Sequence, residues 1–295
     1  MIMDEWHVGD PPDWGDHVGV PDIDYMGYIN NGEDEHVPNR SSRLNALRRE
    51  AWRLRNDGRL YDALDKINEA LEYGISWRCL NVKAIILEDM GRRDEALSYY
   101  DRALGLTSSQ LVKDNKARLL ELMAISEMYS GNLQKPLDDV NQALKLTAND
   151  EDRCDFLQTK ARILELMKRP REAYVCIKLA NGQSDKVDEY ESHSKILEST
   201  TDTIICIAGR QFHGHVALSP GSAVTLIKEP SNEHDPDAIR VEYENRTVGY
   251  VANSPNTLID EASSATDIKN LFQSTAEAKV MFLFLEKYLL AKVIL

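Results

Sequence analysis

The chain has 295 residues, 42% hydrophobic and 28% charged, with a net charge of −14. Those values describe a globular chain of about two domains, without a run of apolar residues long enough to span a membrane. The excess of acids excludes one class of function, since long nucleic acid is held through its phosphates by a broad basic face.

The acids are concentrated at the start. Residues 1–40 carry ten acids and one base. Residues 1–42 are therefore expected to form an acidic Trp/Gly/Pro-rich segment, partly disordered or docking. Trp6, Trp14, Tyr25 and Tyr28 favour docking, either back onto this chain or onto a partner. His7, His17 and His36 stand near aspartates without paired ligand spacing, and no metal is expected there. The first residues are acidic from Asp4 instead of basic and then apolar, so no secretory leader and a cytoplasmic location are expected. Cys79, Cys154, Cys176 and Cys206 make no C-x-x-C pair, which fits buried free thiols.

Residues 43–198 repeat. Ala51, Ala84, Ala124 and Ala161 form one column, followed by Ala63, Ala96, Pro136 and Ala173, then Ala70, Ala103, Ala143 and Ala180. Gly58, Gly91 and Gly131 mark the turns, with Lys168 in that place in the last unit. Small residues at these offsets let the helices of a hairpin approach closely. Unit spacings of 33, 40 and 37 residues put extra loop or helix length at Thr107–Lys113 and Thr147–Arg153. Pro136 is tolerable only in a first helical turn, so its helix is expected to start at about Lys135. The pattern resembles the tetratricopeptide repeat, best from Lys83 to Leu104. The resemblance implies an α-solenoid of about four hairpins whose first helices line a concave binding surface. Lys83, Lys116, Arg118, Lys160 and Arg162 lie on first helices and are candidate contacts for a protein or acidic peptide in that groove. The alternative is a solvated face balanced by Glu88, Glu121 and Glu165.

Gly182–Asp202 holds few apolar residues and is expected to link two independent halves. Residues 199–295 then carry strand-like runs around a polar turn, Lys228-Glu229-Pro230-Ser231-Asn232-Glu233-His234-Asp235-Pro236. Such a turn is richer in hydrogen-bonding side chains than a bare reversal needs. Three ordered blocks, Gly209–His213, Leu226–Val241 and Val248–Val251, resemble the HIRAN domain. The resemblance implies an open barrel-like β fold that grips the 3′ end of single-stranded DNA. In that family aromatic rings sandwich the terminal bases and an aspartate takes the 3′-hydroxyl. Carried onto this chain, Phe212 falls at a stacking position and Asp235 at the hydroxyl position. His234 stands where a tyrosine stacks, and Gln211 where an arginine meets phosphate. Lys228 and Asn232 complete the candidate nucleic-acid-binding set. The alternative for Asp235 is a turn residue that bonds its own backbone ahead of Pro236. Pro255 precedes an expected short helix over Asn256–Ala262 carrying Leu258 and Ile259 inward. Val280–Leu285 and Leu289–Leu295 read as closing strands, with a buried helix not separable by pattern alone.

The whole is expected to be an α+β multidomain protein, a helical-hairpin solenoid followed by a small mostly-β domain. No phosphate-binding loop, dinucleotide fingerprint, zinc-protease or hydrolase motif occurs, so no enzyme and no cofactor are expected. The expected function is a non-catalytic adaptor in which the β domain binds a nucleic-acid end and the repeats recruit a protein. One alternative is a protein–protein scaffold without nucleic acid. Another is a metal-dependent enzyme built on His213, His215 and His234, because a His-x-His pair on a strand points both rings to one face.

Overall fold

The computed structural model describes residues 40–214 and 216–295. The acidic stretch with its four aromatics, His7, His17, His36, and also His215, lie outside the described residues. Four helical hairpins come first: α1 (Arg40–Asn56) with α2 (Leu60–Tyr73), α3 (Trp77–Asp89) with α4 (Arg93–Leu104), α5 (Gln110–Glu127) with α6 (Gln134–Leu146), and α7 (Asp150–Leu166) with α8 (Pro170–Ala180). A single helix, α9 (Ser184–Ser199), follows them.

The alanine columns are where the helices touch. Ala51, Ala63, Ala70, Ala84, Ala96, Ala103, Ala124 and Ala143 have no exposed surface, and Ala161 and Ala173 keep 2%. Ala180 breaks the pattern and is only half-buried. Turn residues Gly58, Gly91 and Gly131 have φ of 74°, 75° and 96°, the left-handed region where a side chain is strained. Lys168 adopts φ 60° in the same place. α6 begins at Gln134, which leaves Pro136 in its first turn. The extra residues in the longer units enter the first helices: α5 and α7 have 18 and 17 residues where α3 has 13.

The C-terminal part is a barrel of β1 (Ile204–Ala208), β2 (Ala223–Lys228), β3 (Ile239–Tyr243), β4 (Arg246–Val251), β5 (Thr275–Phe284) and β6 (Tyr288–Ile294). Their order, β1-β4-β3-β2-β5-β6, closes on itself, where an open barrel was expected. Closure comes from β6, whose Leu289–Lys292 stretch pairs antiparallel with Ile204–Ile207. Asn256–Ala262 is a turn and not the expected helix. Ser254 Oγ accepts from Asn256 N (3.4 Å) and Thr257 Oγ1 donates to Ser254 O (3.0 Å), local bonds that compete with a helical ladder. The short helix, α10 (Ala265–Ile268), starts further on, where Ser264 and Asp267 form a reciprocal capping box.

Two apolar clusters use the strands. Ile205, Ile207, Val224, Leu226, Ile239, Val241, Val280 and Leu289 fill the barrel. The opposite faces of the same strands send Ile204, Cys206, Phe282, Phe284 and Leu290 into a second cluster with Leu197 of α9 and Ile259. A register shift between Val280 and Phe282 carries β5 from one cluster to the other. This two-sided burial explains why the apolar runs do not alternate. It also corrects the reading of residues 182–202 as an apolar-poor link. Tyr190 of α9 stacks on Phe284 with centroids 5.6 Å apart, and His193 lies flat on Phe282 at 3.8 Å.

Candidate nucleic-acid interface

β1 leaves the barrel through Gly209, at φ 75°, into a 3₁₀ turn over Arg210–Phe212. The turn holds Phe212 outward with 79% of its surface exposed, although an apolar ring of that size normally seeks cover. Next to it, the His213 ring lies 5.7 Å from that of Tyr250 on β4. β1 and β4 can approach closely here because residue 249 is glycine. A Cβ at Gly249 would stand 2.4 Å from the carbonyl oxygen of Ala208. Burial first, and then the neighbouring Glu229 charge, raise the Tyr250 hydroxyl pKa, and that hydroxyl hydrogen-bonds the Glu229 side chain.

Glu229 opens the loop between β2 and β3, and this loop is tied internally. Asn232 Oδ1 accepts from the backbone N–H of His234 (3.0 Å) and of Asp235 (3.2 Å), while its Nδ2 donates to Glu229 (3.1 Å). Asp235 Oδ1 accepts from Asp237 N at 2.8 Å, and its Oδ2 accepts from Asn253 Nδ2 at 2.9 Å. Asn253 and Asp237 are held in turn by Thr266, and Asp237 pairs with Lys269 at 2.8 Å. Tyr250 thus makes neighbours of two loops that are distant in sequence. Its ring meets His213, its hydroxyl meets Glu229, and Asn253, just past β4, holds Asp235.

Of the residues singled out from the sequence, Phe212, Asn232 and Asp235 belong to this surface, and His234 is exposed on the same loop. Lys228 turns away: its ammonium donates to the Phe272 carbonyl at 2.5 Å and lies over that ring. Gln211 lines a cleft together with Arg210, Asn256 and Lys287. Tyr250 and Asn253 were not foreseen as site residues. The Val248-Gly249-Tyr250 block pointed to the first, whereas an isolated Asn after a strand gave no signal for the second.

The five array cations separate into two sets. Lys83 sits 4.3 Å over the Tyr99 ring and Lys116 pairs with Asp101 at 2.5 Å, both partners being on α4. Lys160 stands by Cys176 of α8. These three face second helices. Arg118 instead pairs across to Asp152 of α7 at 3.2 Å, on the face where successive first helices meet. Arg162 is exposed and interacts with Glu121 of α5 across the same boundary. The corresponding boundaries between earlier first helices are crossed by Arg55–Asp89 (2.5 Å), from α1 to α3, and by Asn115 of α5 donating to Asn81 of α3 (3.2 Å). Glu88 and Glu121 accept bonds from Tyr100 and Thr159, and burial raises both carboxyl pKa values.

Among the described residues no group of three His, Cys, Asp or Glu could hold a metal ion. Burial pushes the Cys79 and Cys206 thiols up to about 11, so neither is a thiolate nucleophile near neutral pH. No helix among the described residues is long and apolar enough to cross a membrane.

Residues 202–275 match the HIRAN domain family model. A stretch of 42 residues is 48% identical to a Fanconi-associated nuclease 1 homolog from Oryza sativa subsp. japonica; it covers 14% of this chain and only 4% of that protein. Similar solved structures include BtubC (BKLC) from P. vanneervenii, at 13% identity and TM-score 0.39 over 52% of this chain and 67% of that one. YrrB, described as a TPR protein with an unusual peptide-binding site, aligns at 16% identity and TM-score 0.34, covering 48% of this chain and 68% of that one.

Proposed function

We propose that this chain, a tetratricopeptide-like array joined to a HIRAN domain, is a non-catalytic adaptor. The domain binds the 3′ end of single-stranded DNA, and the array recruits a protein partner. The observation that carries this reading is the exposed Phe212 ring on the same short turn as His213, whose own ring meets Tyr250, while the Tyr250 hydroxyl bonds Glu229 at the start of a loop of preorganised polar groups. Stacking of a base on an exposed ring is sequence-tolerant and contributes about 1–3 kcal/mol. Asp235 uses both carboxylate oxygens internally, yet each oxygen has a second lone pair, so a terminal hydroxyl can still donate to it. On the array, Arg118 and Arg162 are the candidate contacts for an acidic peptide, and Lys83, Lys116 and Lys160 serve the packing of the hairpins.

Fluorescence anisotropy with oligonucleotides ending in a 3′-hydroxyl or a 3′-phosphate tests the strand-end site. The hydroxyl end should bind several-fold more tightly, because phosphate would meet the Asp235 charge. Asp235→Ala should shrink that preference, and Phe212→Ala should weaken both ends alike. Equal binding of both ends would sink the end-recognition reading.

A second reading has its own support. The Asn232–Asp235–Asn253 network is complete without a ligand, and Lys228 is committed to Phe272. In that case the exposed Phe212 docks a protein, and no oligonucleotide binds even at low salt.

A further inference from the structure

The 3₁₀ turn that presents Phe212 also forms one wall of a cleft of about 600 Å³, lined by Arg210, Gln211, Asn256, Thr257, Lys287 and Tyr288. We infer that this cleft binds a phosphodiester of the strand just inside its terminal nucleotides, and that the helical array braces the two barrel loops that bring Asn256, Thr257 and Lys287 into its lining. The inference rests on the strand-end reading of the barrel.

Beside the apolar Cys206, Ile207 and Ala208, the polar part of the lining is suited to an anion. Arg210 and Lys287 supply two cations, and among the described residues neither has a carboxylate partner. Lys287 is held by a bond from its ammonium to the Tyr288 hydroxyl (2.9 Å), which leaves the charge uncompensated. Gln211 and Asn256 add neutral amide donors. Cys206 lies on the wall as a protonated thiol, with its pKa pushed up to about 11 by burial, so it adds no negative charge. Because Gln211 and Phe212 are adjacent on one turn, a base on the ring and the next phosphate in the cleft are within reach of one strand.

The array enters through α8. Arg171 makes a two-pronged bond to Glu261 (2.8 and 2.5 Å), and Lys178 pairs with Glu286 (2.7 Å). Glu286 sits in the β5–β6 turn directly before Lys287. Leu285 and Glu286 both have positive φ there, 53° and 54°, a reversal that needs support. Glu261 follows the turn bearing Asn256 and Thr257, and its charge is felt at Cys206. Arg171 and Lys178 therefore fix both loops and neutralise two carboxylates beside the cleft lining, Glu286 next to Lys287 and Glu261, whose charge reaches Cys206. Without them the same cleft would hold two cations against two free acids, and phosphate would gain little.

Anisotropy on the full chain, with a 3′-hydroxyl dinucleotide and a longer single strand, tests this. Arg210→Gln and Lys287→Gln should each weaken the longer strand about three- to tenfold. Each should also lower the slope of log affinity against log salt by about 0.7. The dinucleotide and the preference for a 3′-hydroxyl should not change. Arg171→Gln with Lys178→Gln should weaken the longer strand similarly, and adding Glu261→Gln with Glu286→Gln should restore it. If both cleft variants bind like the parent while the end preference persists, the cleft inference falls and the strand-end reading stands. Loss from the cleft variants without any end preference would overturn the strand-end reading and, with it, the placement of the cleft phosphate beside a terminus, although the cleft would still hold a phosphate. If no oligonucleotide binds, both fall. Failure of the neutralised acids to restore binding removes the array's electrostatic part.

Discussion

The array and the barrel bury similar residues by different rules. Each hairpin packs one face through small residues at fixed offsets, so its core is made by neighbours in sequence. The barrel strands are buried on both faces, and the outer face needs cover that the barrel does not supply. Leu197 and Tyr190 of α9 provide it. Two ion pairs from α8 then fasten the barrel loops. The array is therefore modular within itself, whereas the barrel is completed by the element that precedes it.

Phe284→Ala tests this difference most severely. Phe284 is fully buried, stacks on Tyr190, and lies under the Arg171 guanidinium at 5.4 Å. Removing the ring should cost about 3–5 kcal/mol. Helical and strand signals in circular dichroism should unfold together at a lowered temperature. A helical transition that does not move would show that the two cores are separate. Ala96→Phe probes the other side of the comparison. Ala96 has no exposed surface where α3 meets α4, and overpacking there should cost about 1–3 kcal/mol. The loss should appear as a lowered unfolding temperature of the helical signal in circular dichroism.

The contrast also explains what the sequence disclosed. Alanine columns and turn glycines are local, periodic requirements, and a reader can align them without knowing what lies opposite. Pro136 likewise placed the start of α6 to within one residue. Partners of long side chains are not local. Lys116 and Arg118 look alike on paper, yet a difference of two positions turns one to Asp101 on α4 and the other to Asp152 on α7. In the barrel, runs such as Ile204–Ala208 hid their faces because both were apolar, and although Leu289–Leu295 read as a closing strand, its pairing with β1 was not legible. Within the candidate site, the turn residues were legible from their chemistry. The contacts of Tyr250 and Asn253 depend on a strand that returns from elsewhere.

Lys168→Gly should give a smaller and opposite effect. Its backbone is left-handed at φ 60°, where the other three units have glycine. Relief of that strain, offset in part by glycine's freedom when unfolded, should stabilise the array by about 0.5–1 kcal/mol. The helical unfolding temperature should rise, and a fall would mean that the Lys168 side chain contributes more than its backbone loses.

The smallest expected effect lies at the junction and depends on pH. His193 lies parallel to Phe282 at an interplanar angle of 3°. Burial is the main influence on its ring, and Lys186 adds to it, so its pKa is held below the ordinary 6.5 despite the opposing Glu189. The unfolded chain therefore takes up this proton first as the pH falls. The packing of the neutral ring is fully present above pH 6.5 and is lost as the pH drops below that value through the folded pKa. Buried carboxyls such as Glu88 and Glu121, whose pKa values are raised, act in the other direction over acidic pH. Total stability against pH thus does not isolate the histidine, and the comparison must be made with His193→Phe, which keeps an aromatic ring on Phe282 and cannot titrate. The variant should lose less stability than the parent between neutral and mildly acidic pH. Parallel curves for the two proteins would show that His193 is not desolvated at this junction, and that α9 covers the barrel less tightly than its ring geometry implies.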